Sequence, residues 1–127
     1  MKTPLPGQPV RGSRTGRPIM ALLDLLGRRW ILRVLWELRV ESLGFRALQA
    51  RCEGMSPSVL SQRLRDLQNA NIVEQHSRAG YRLTAGGRKL LAALMPLHGW
   101  AEDWAARGAS ALPPADRSLL QRRSARH

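Results

Sequence analysis

A mainly α-helical domain carrying one β-hairpin is predicted by three features of the sequence. A well-signalled helix occupies the middle of the chain, over residues 56–70. A short helical run and a glycine turn lie directly before it. Two short β-prone runs around a turn lie directly after it, over residues 72–84. That order of elements, more than any one of them, carries the reading.

Residues 1–18 hold four prolines, three glycines and four basic residues. So little apolar content predicts a disordered basic arm. Residues 19–26, Ile-Met-Ala-Leu-Leu-Asp-Leu-Leu, are apolar nearly all round, so a short helix there needs cover on several sides. Gly27 breaks it. The spacing of Trp30, Ile31, Val34, Leu35 and Leu38 predicts a second helix over 28–40, with Arg28, Arg29, Arg33 and Arg39 on its polar side. Trp30 and Trp36 read as core or interface packing. A loop over 41–44 ends at Gly44. Residues 45–51 form a third, short helix with Phe45 and Leu48 directed inward, and Glu53-Gly54-Met55 turn the chain into the central helix.

That helix opens on Ser56, whose hydroxyl can accept an unpaired N–H of the first turn. Pro57 follows at the first helical position, where its missing N–H costs nothing. Leu60, Leu64 and Leu67 repeat at i, i+4, i+7 and mark the buried face. Ser58, Ser61, Gln62, Arg65 and Asn69 fall on the other side. Hydroxyl, amide and guanidinium groups of this kind bond to base edges and phosphates in a major groove. Taken alone, the segment reads as an ordinary surface helix.

Asn71 can stop the helix in a left-handed conformation. Ile72 to His76 then read as a strand, Ser77-Arg78-Ala79-Gly80 as a turn, and Tyr81-Arg82-Leu83-Thr84 as a returning strand. Thr84 can cap a last helix over about residues 85–107. Leu90, Leu94, Leu97, Ala101 and Trp104 give it a 4-3-4-3 seam with Trp100 alongside. Pro96 should kink or split that helix. Residues 108–127 return to Gly, Pro, Ser and Arg and read as a disordered basic tail.

The chain of 127 residues fits one domain over 19–107, flanked by the arm and the tail. Its formal net charge of +12 points to a polyanion partner. Eight of the 21 basic residues and one acid lie in 1–18 and 112–127, so that part of the charge adds affinity without sequence information. No apolar run reaches the roughly 20 residues of a membrane span, and no signal peptide is evident. The one cysteine, Cys52, allows no internal disulfide, which predicts a cytoplasmic protein and a packed thiol. Three scattered histidines and one cysteine make no metal site. Gly86-Gly87 lacks the pattern of a phosphate loop. No catalytic pair is present. The sequence therefore predicts no enzyme, no metal and no cofactor.

A helix, a glycine turn and a capped helix with a polar outer face make a helix-turn-helix, and the hairpin after it makes a wing. The chain resembles the HxlR-type winged-helix transcriptional regulators of bacteria over about residues 18–107. The resemblance rests on Leu-Asp-Leu-Leu-Gly-Arg-Arg-Trp at 23–30, Gly-Phe-Arg-Ala-Leu at 44–48, Met-Ser-Pro-Ser-Val-Leu-Ser-Gln-Arg-Leu-Arg-Asp-Leu at 55–67, and Tyr-Arg-Leu-Thr-Ala-Gly-Gly at 81–87. It implies a homodimer built from the first and last helices, with two recognition helices on a palindromic operator. Such proteins usually carry a cysteine just before the proline that opens the first helix, and oxidant or electrophile sensors of the family use it. Here Arg17 precedes Pro18, so that kind of sensing is not implied. The usual proline pair before the returning strand is also missing, which argues against deep contacts by the wing.

The expected DNA-contact residues are Ser56, Ser58, Ser61, Gln62, Arg63 and Arg65 on the central helix, with Arg78 and Arg82 on the wing. Arg63 lies nearer the leucine side and is expected to pair with an acid or a phosphate. The expected dimer interface is Leu22, Leu23, Leu26 and Trp30 with Leu94, Leu97, Trp100, Ala101 and Trp104. Double-stranded DNA and a second copy of the chain are the expected partners, with a small-molecule effector left open. A competing reading is a small-molecule sensor whose Trp30, Trp36, Trp100 and Trp104 line a pocket at the dimer interface, coupled or not to DNA binding. A third is a winged helix used only for protein contacts. The outer face of 58–69 speaks against that third reading, because it has no exposed apolar anchors.

Overall fold

The computed structural model describes residues 2–10, 16–76 and 80–111, the last three of them by backbone only. The chain divides into two compact units, Met1–Leu91 and Ala92–His127. Among the described residues, five helices and two strands follow in the order α1 (Pro18–Leu26), α2 (Ile31–Glu37), α3 (Phe45–Arg51), α4 (Pro57–Asn69), β1 (Val73–His76), β2 (Gly80–Leu83) and α5 (Ala85–Ala111). The fold is a mainly helical winged helix-turn-helix, as the order of elements in the sequence predicts.

In the first unit the core forms where three helices meet. Ile31, Val34 and Leu35 of α2, Leu48 of α3, and Leu60, Leu64 and Leu67 of α4 are all buried. Ala21 and Leu25 of α1 close one side, and Val73 and Leu83 of the hairpin close another. Phe45 is only half-buried, so Leu48 alone anchors α3 as expected.

α2 is shorter than the sequence spacing implies. The Gly27 and Arg28 N–H groups still donate back to Leu23 O and Leu25 O, so residues 27–28 finish the turn of α1. Trp30 then takes a left-handed backbone, φ 76°, and α2 begins only at Ile31. A bulky residue rarely adopts that conformation, and helical periodicity does not reveal it.

The caps of α4 and α5 are those anticipated. Ser56 Oγ accepts the Val59 N–H at 3.2 Å. Asn71 ends the segment at φ 58°. Thr84 Oγ1 donates to Asn71 O at 2.6 Å and accepts the Gly87 N–H at 2.9 Å. α5 continues through Pro96 as one helix and reaches Ala111, past the expected end at residue 107. The expectation of a split at Pro96 is thus corrected. Proline removes one ladder hydrogen bond, and the remaining turns carry the helix across.

The hairpin pairs Val73 with Leu83, Glu74 with Arg82, Gln75 with Tyr81 and His76 with Gly80 in antiparallel register. Leu43, in the loop before α3, adds a further rung. Its N–H donates to Tyr81 O at 3.0 Å, and it accepts the Tyr81 N–H at 2.8 Å. Gly80 sits at φ 83°, and a Cβ there would lie 2.4 Å from Leu43 O. Only glycine fits that close approach.

Residues 2–10 fall inside the stretch read as a disordered arm, yet Thr3 and Pro4 are buried against the first unit. Composition missed this because the cause is one distant side chain, Asp66.

In the second unit the picture reverses. Met95, Leu97, Trp100 and Trp104 of α5 are exposed, and the two tryptophan rings stack with centroids 5.8 Å apart.

Candidate nucleic-acid interface

α3, the Gly54 turn and α4 form the helix-turn-helix. The turn uses a left-handed glycine, φ 80°, with open space around it. Met55, buried between the helices, donates its N–H to Cys52 O at 3.1 Å. Burying the leucine row of α4 fixes which of its flanks faces outward.

On the outer side, Ser58 and Arg65 are exposed and Ser61 is half-exposed. Ser56 Oγ and Ser58 Oγ lie 3.2 Å apart. Among the described residues Arg65 has no hydrogen-bond or ion-pair partner. Its guanidinium is therefore available to a ligand, five donors in a fixed fork.

The other polar flank of α4 is occupied. Asp66 lies about 120° from the centre of the leucine row by helical periodicity and would be half-exposed on an isolated amphipathic helix. Here it is fully buried. Its Oδ1 accepts from the Thr3 hydroxyl at 2.8 Å and from Gln62 Nε2 at 3.3 Å. Its Oδ2 accepts from Arg28 Nη1 at 3.1 Å and Arg63 Nη1 at 2.9 Å. Four donors use the roughly four lone-pair sites of one carboxylate. Asn69 Nδ2 donates to Thr3 Oγ1 at 3.1 Å, and Arg28 Nη2 donates to Lys2 O. The expectation that Arg63 pairs with an acid is met, and its partner is Asp66.

On the wing, Arg82 Nε bonds Glu74 Oε1 at 2.7 Å across the ladder. Half of each side chain stays in solvent, so such a pair contributes little to stability. Arg78 lies outside the described residues. The sequence reading overlooked Arg46, the second residue of α3, which is exposed and unpartnered among the described residues. The first helix of this motif crosses the DNA backbone. An arginine directly after Gly44-Phe45 at the start of that helix was the available signal.

Of the expected interface residues in the first unit, Leu23 is exposed, and Leu22, Leu26 and Trp30 are half-buried. In the second, Leu97, Trp100, Ala101 and Trp104 are exposed and Leu94 is half-buried. Trp30 borders an open hollow of about 350 Å³ with Leu26, Arg28, Arg29, Leu32 and Arg33. The Arg39 guanidinium lies 3.9 Å from the Trp36 ring centroid. Cys52 is fully buried, and burial pushes its thiol above the ordinary cysteine range. Among the described residues no cluster of three or more His, Cys, Asp or Glu could hold a metal, and no helix is long and apolar enough to cross a membrane.

A capped helix with an outward arginine and serines, set behind a glycine turn and ahead of a β-wing, defines the class of winged helix-turn-helix DNA-binding transcriptional regulators. The model of the HxlR-like helix-turn-helix family matches residues 25–109, and the chain belongs to that family. It is 31% identical over 88 residues to the HTH-type transcriptional regulator YvaP of Bacillus subtilis, covering 65% of this chain and 82% of that protein. An HTH-type transcriptional regulator of Synechocystis is 32% identical over 93 residues, 68% of this chain and 69% of that protein. Among solved structures, quinone-bound YodB of B. subtilis superposes with a TM-score of 0.63 at 27% identity, over 67% of this chain and 94% of YodB. A possible HxlR family transcriptional factor of Thermoplasma volcanium gives 0.59 at 29% identity, over 65% and 80%.

Proposed function

We propose that this regulator acts in the cytoplasm as a homodimer that reads a palindromic duplex operator, one α4 helix per half-site. The observation that carries the reading is Arg65, exposed and unpartnered among the described residues in the middle of the outer flank of α4. From there a guanidinium makes two hydrogen bonds to guanine O6 and N7, the commonest specific contact. Ser58 and Ser61 lie nearer the helix start, which in this motif meets base edges and flanking phosphates. Ser56 caps the helix beside them. Arg46, Arg78 and Arg82 act on the backbone and position the protein.

The dimer is supported by apolar side chains left in water. Leu97, Trp100 and Trp104 of the second unit and Ile19 and Leu23 of the first are each more than half exposed. Exposed apolar surface of this extent marks a contact with another chain. Selection of duplexes from a random-sequence library by the full chain tests the reading. It should yield inverted repeats with half-sites about one helical turn apart, roughly 34–36 Å. Equal affinity for all duplexes at physiological salt would overturn it.

A small-molecule effector is the second reading, supported by the hollow beside Trp30 with its three arginines. YodB, solved with a quinone bound, is a protein of similar fold that takes a small planar ligand. Titration with benzoquinone, read by tryptophan fluorescence and by release of the selected duplex, tests it. No change in either signal would remove this reading.

A further inference from the structure

Two of the donors expected on the DNA-reading helix, Gln62 and Arg63, each bond a buried carboxylate. Asp66 holds Gln62 Nε2 at 3.3 Å and Arg63 Nη1 at 2.9 Å. The carboxylate is itself fixed from outside α4. The Thr3 hydroxyl binds one oxygen, and Arg28, which also donates to the Lys2 carbonyl, binds the other. Residues 2–4 thus lie as a strap across the flank of the recognition helix that includes Asp66 and Asn69.

Arg63 is not comfortable where it is held. Its Nε is buried and has no partner. An arginine on a helix surface can turn outward and hydrate all its donors, so complete hydrogen bonding does not explain the inward pose. The charge of Asp66 does. The two flanks of α4 therefore differ by design of this one residue: Arg65 is presented and Arg63 is withheld.

We propose that Asp66 is a specificity-determining residue, which keeps Arg63 off the phosphates so that binding depends on the flank carrying Ser58, Ser61 and Arg65. Arginine–phosphate contacts add affinity for every sequence alike. Withholding one lowers the background of random-sequence binding while leaving base contacts in place. The strap and Arg28 are positioning elements, acting on DNA reading only through the carboxylate. The inference rests on the duplex-reading function proposed above.

Binding of the full chain to a random-sequence duplex and to the library-selected duplex, measured over a series of salt concentrations, tests it. Each phosphate contact adds about 0.9 to the slope of log affinity against log salt. Asp66→Asn should release Arg63, steepen the random-duplex slope by about one and raise random-duplex affinity roughly threefold to tenfold at low salt. Arg63→Met should leave the slope at its wild-type value. The double variant should return to the wild-type slope, which a general effect of removing one negative charge would not do. A slope lowered by about one in Arg63→Met would show Arg63 already on a phosphate and overturn the inference. So would an unchanged slope in Asp66→Asn, or a steepened one that persists in the double variant. If circular dichroism shows Asp66→Asn unfolded, Arg63→Met decides by itself, because it leaves Asp66 with Arg28 and Thr3. A wild-type chain that binds no duplex at any salt would overturn the duplex-reading function itself, a different failure from any of these.

Discussion

The two compact units treat their apolar residues in opposite ways. In Met1–Leu91, Ile31 and Leu35 of α2, Leu48 of α3 and Leu60, Leu64 and Leu67 of α4 are sealed to within a percent or so of full burial. In the α5 segment from Ala92 onward, Leu97, Trp100 and Trp104 are 62%, 57% and 62% exposed. The first has a sealed core, with Ile19, Leu23, Leu32 and Val40 left on its surface. The second, over its described residues, is a helix with an exposed apolar stripe and no buried side chain. Reading DNA needs a rigid platform, which a sealed core supplies. Association needs surface that the folded chain leaves unsatisfied.

Substitutions can break or sharpen that contrast. Trp104→Glu puts a charge on the exposed stripe. It should turn a dimer into a monomer by sedimentation and, by losing the second half-site, weaken operator binding on the order of 10²–10⁴-fold. Its melting transition should stay close to wild type. A large drop in melting temperature would mean that Trp104 serves the fold rather than association. Leu48→Ala is the mirror case. It opens a cavity in the sealed core and should cost roughly 2–5 kcal/mol in denaturant unfolding, with no new preference in DNA sequence. Arg65→Ala should leave both units intact, cost about 1–3 kcal/mol on the selected operator and relax preference at one base position. Equal losses on operator and random duplex would make Arg65 a phosphate contact. Arg78→Ala should weaken both kinds of duplex alike and reduce the salt slope by about one.

The smallest effect is expected at Cys52. Burial raises its thiol pKa, so the reactive thiolate is disfavoured at neutral pH. Mass spectrometry should find Cys52 unmodified by iodoacetamide in the native protein and labelled once urea unfolds it. Cys52→Ala should leave DNA binding, with or without peroxide, unchanged. Rapid native labelling would show that the core of the first unit opens more readily than its burial implies.

Much of the fold is legible locally. Ser56-Pro57, Asn71 and Thr84 each act on backbone within a few residues, and the structure uses all three as the sequence suggests. The order of helix, turn, helix and hairpin is likewise written in short-range patterns. What stayed hidden depends on partners far along the chain. Thr3 and Asp66 are 63 residues apart, and no periodicity in α4 announces that a neighbouring strap will bury one of its polar flanks. The Leu43–Tyr81 rung joins a loop to a strand that the sequence reading kept separate. Trp30 reads as an ordinary helical position because its left-handed backbone reflects the junction of α1 and α2 rather than its own preference. For the site, residue types and the outward flank were readable. That Arg65 faces outward and Arg63 pairs was readable too, but not that Asp66 is the partner or that Thr3 and Arg28 share it, since that depends on where distant residues fold.

Two glycines that bracket the returning strand β2 carry a consequence for how this sequence can drift. A Cβ at Gly80 would meet Leu43 O at 2.4 Å, and one at Gly87 would meet Ile72 O at 2.1 Å. Neither obstacle is a side chain that could swing aside, because both are backbone carbonyls. Alanine at either place must move a strand or a helix start, whereas Gly44 and Gly99 have open space where a methyl would go. In a saturation library scored for folded protein, positions 80 and 87 should accept glycine alone. Lineages descending from this chain are then free to vary the outward residues of α4, Ser58, Ser61 and Arg65. They must inherit both glycines unchanged, so new operator preferences arise on a mounting that stays the same.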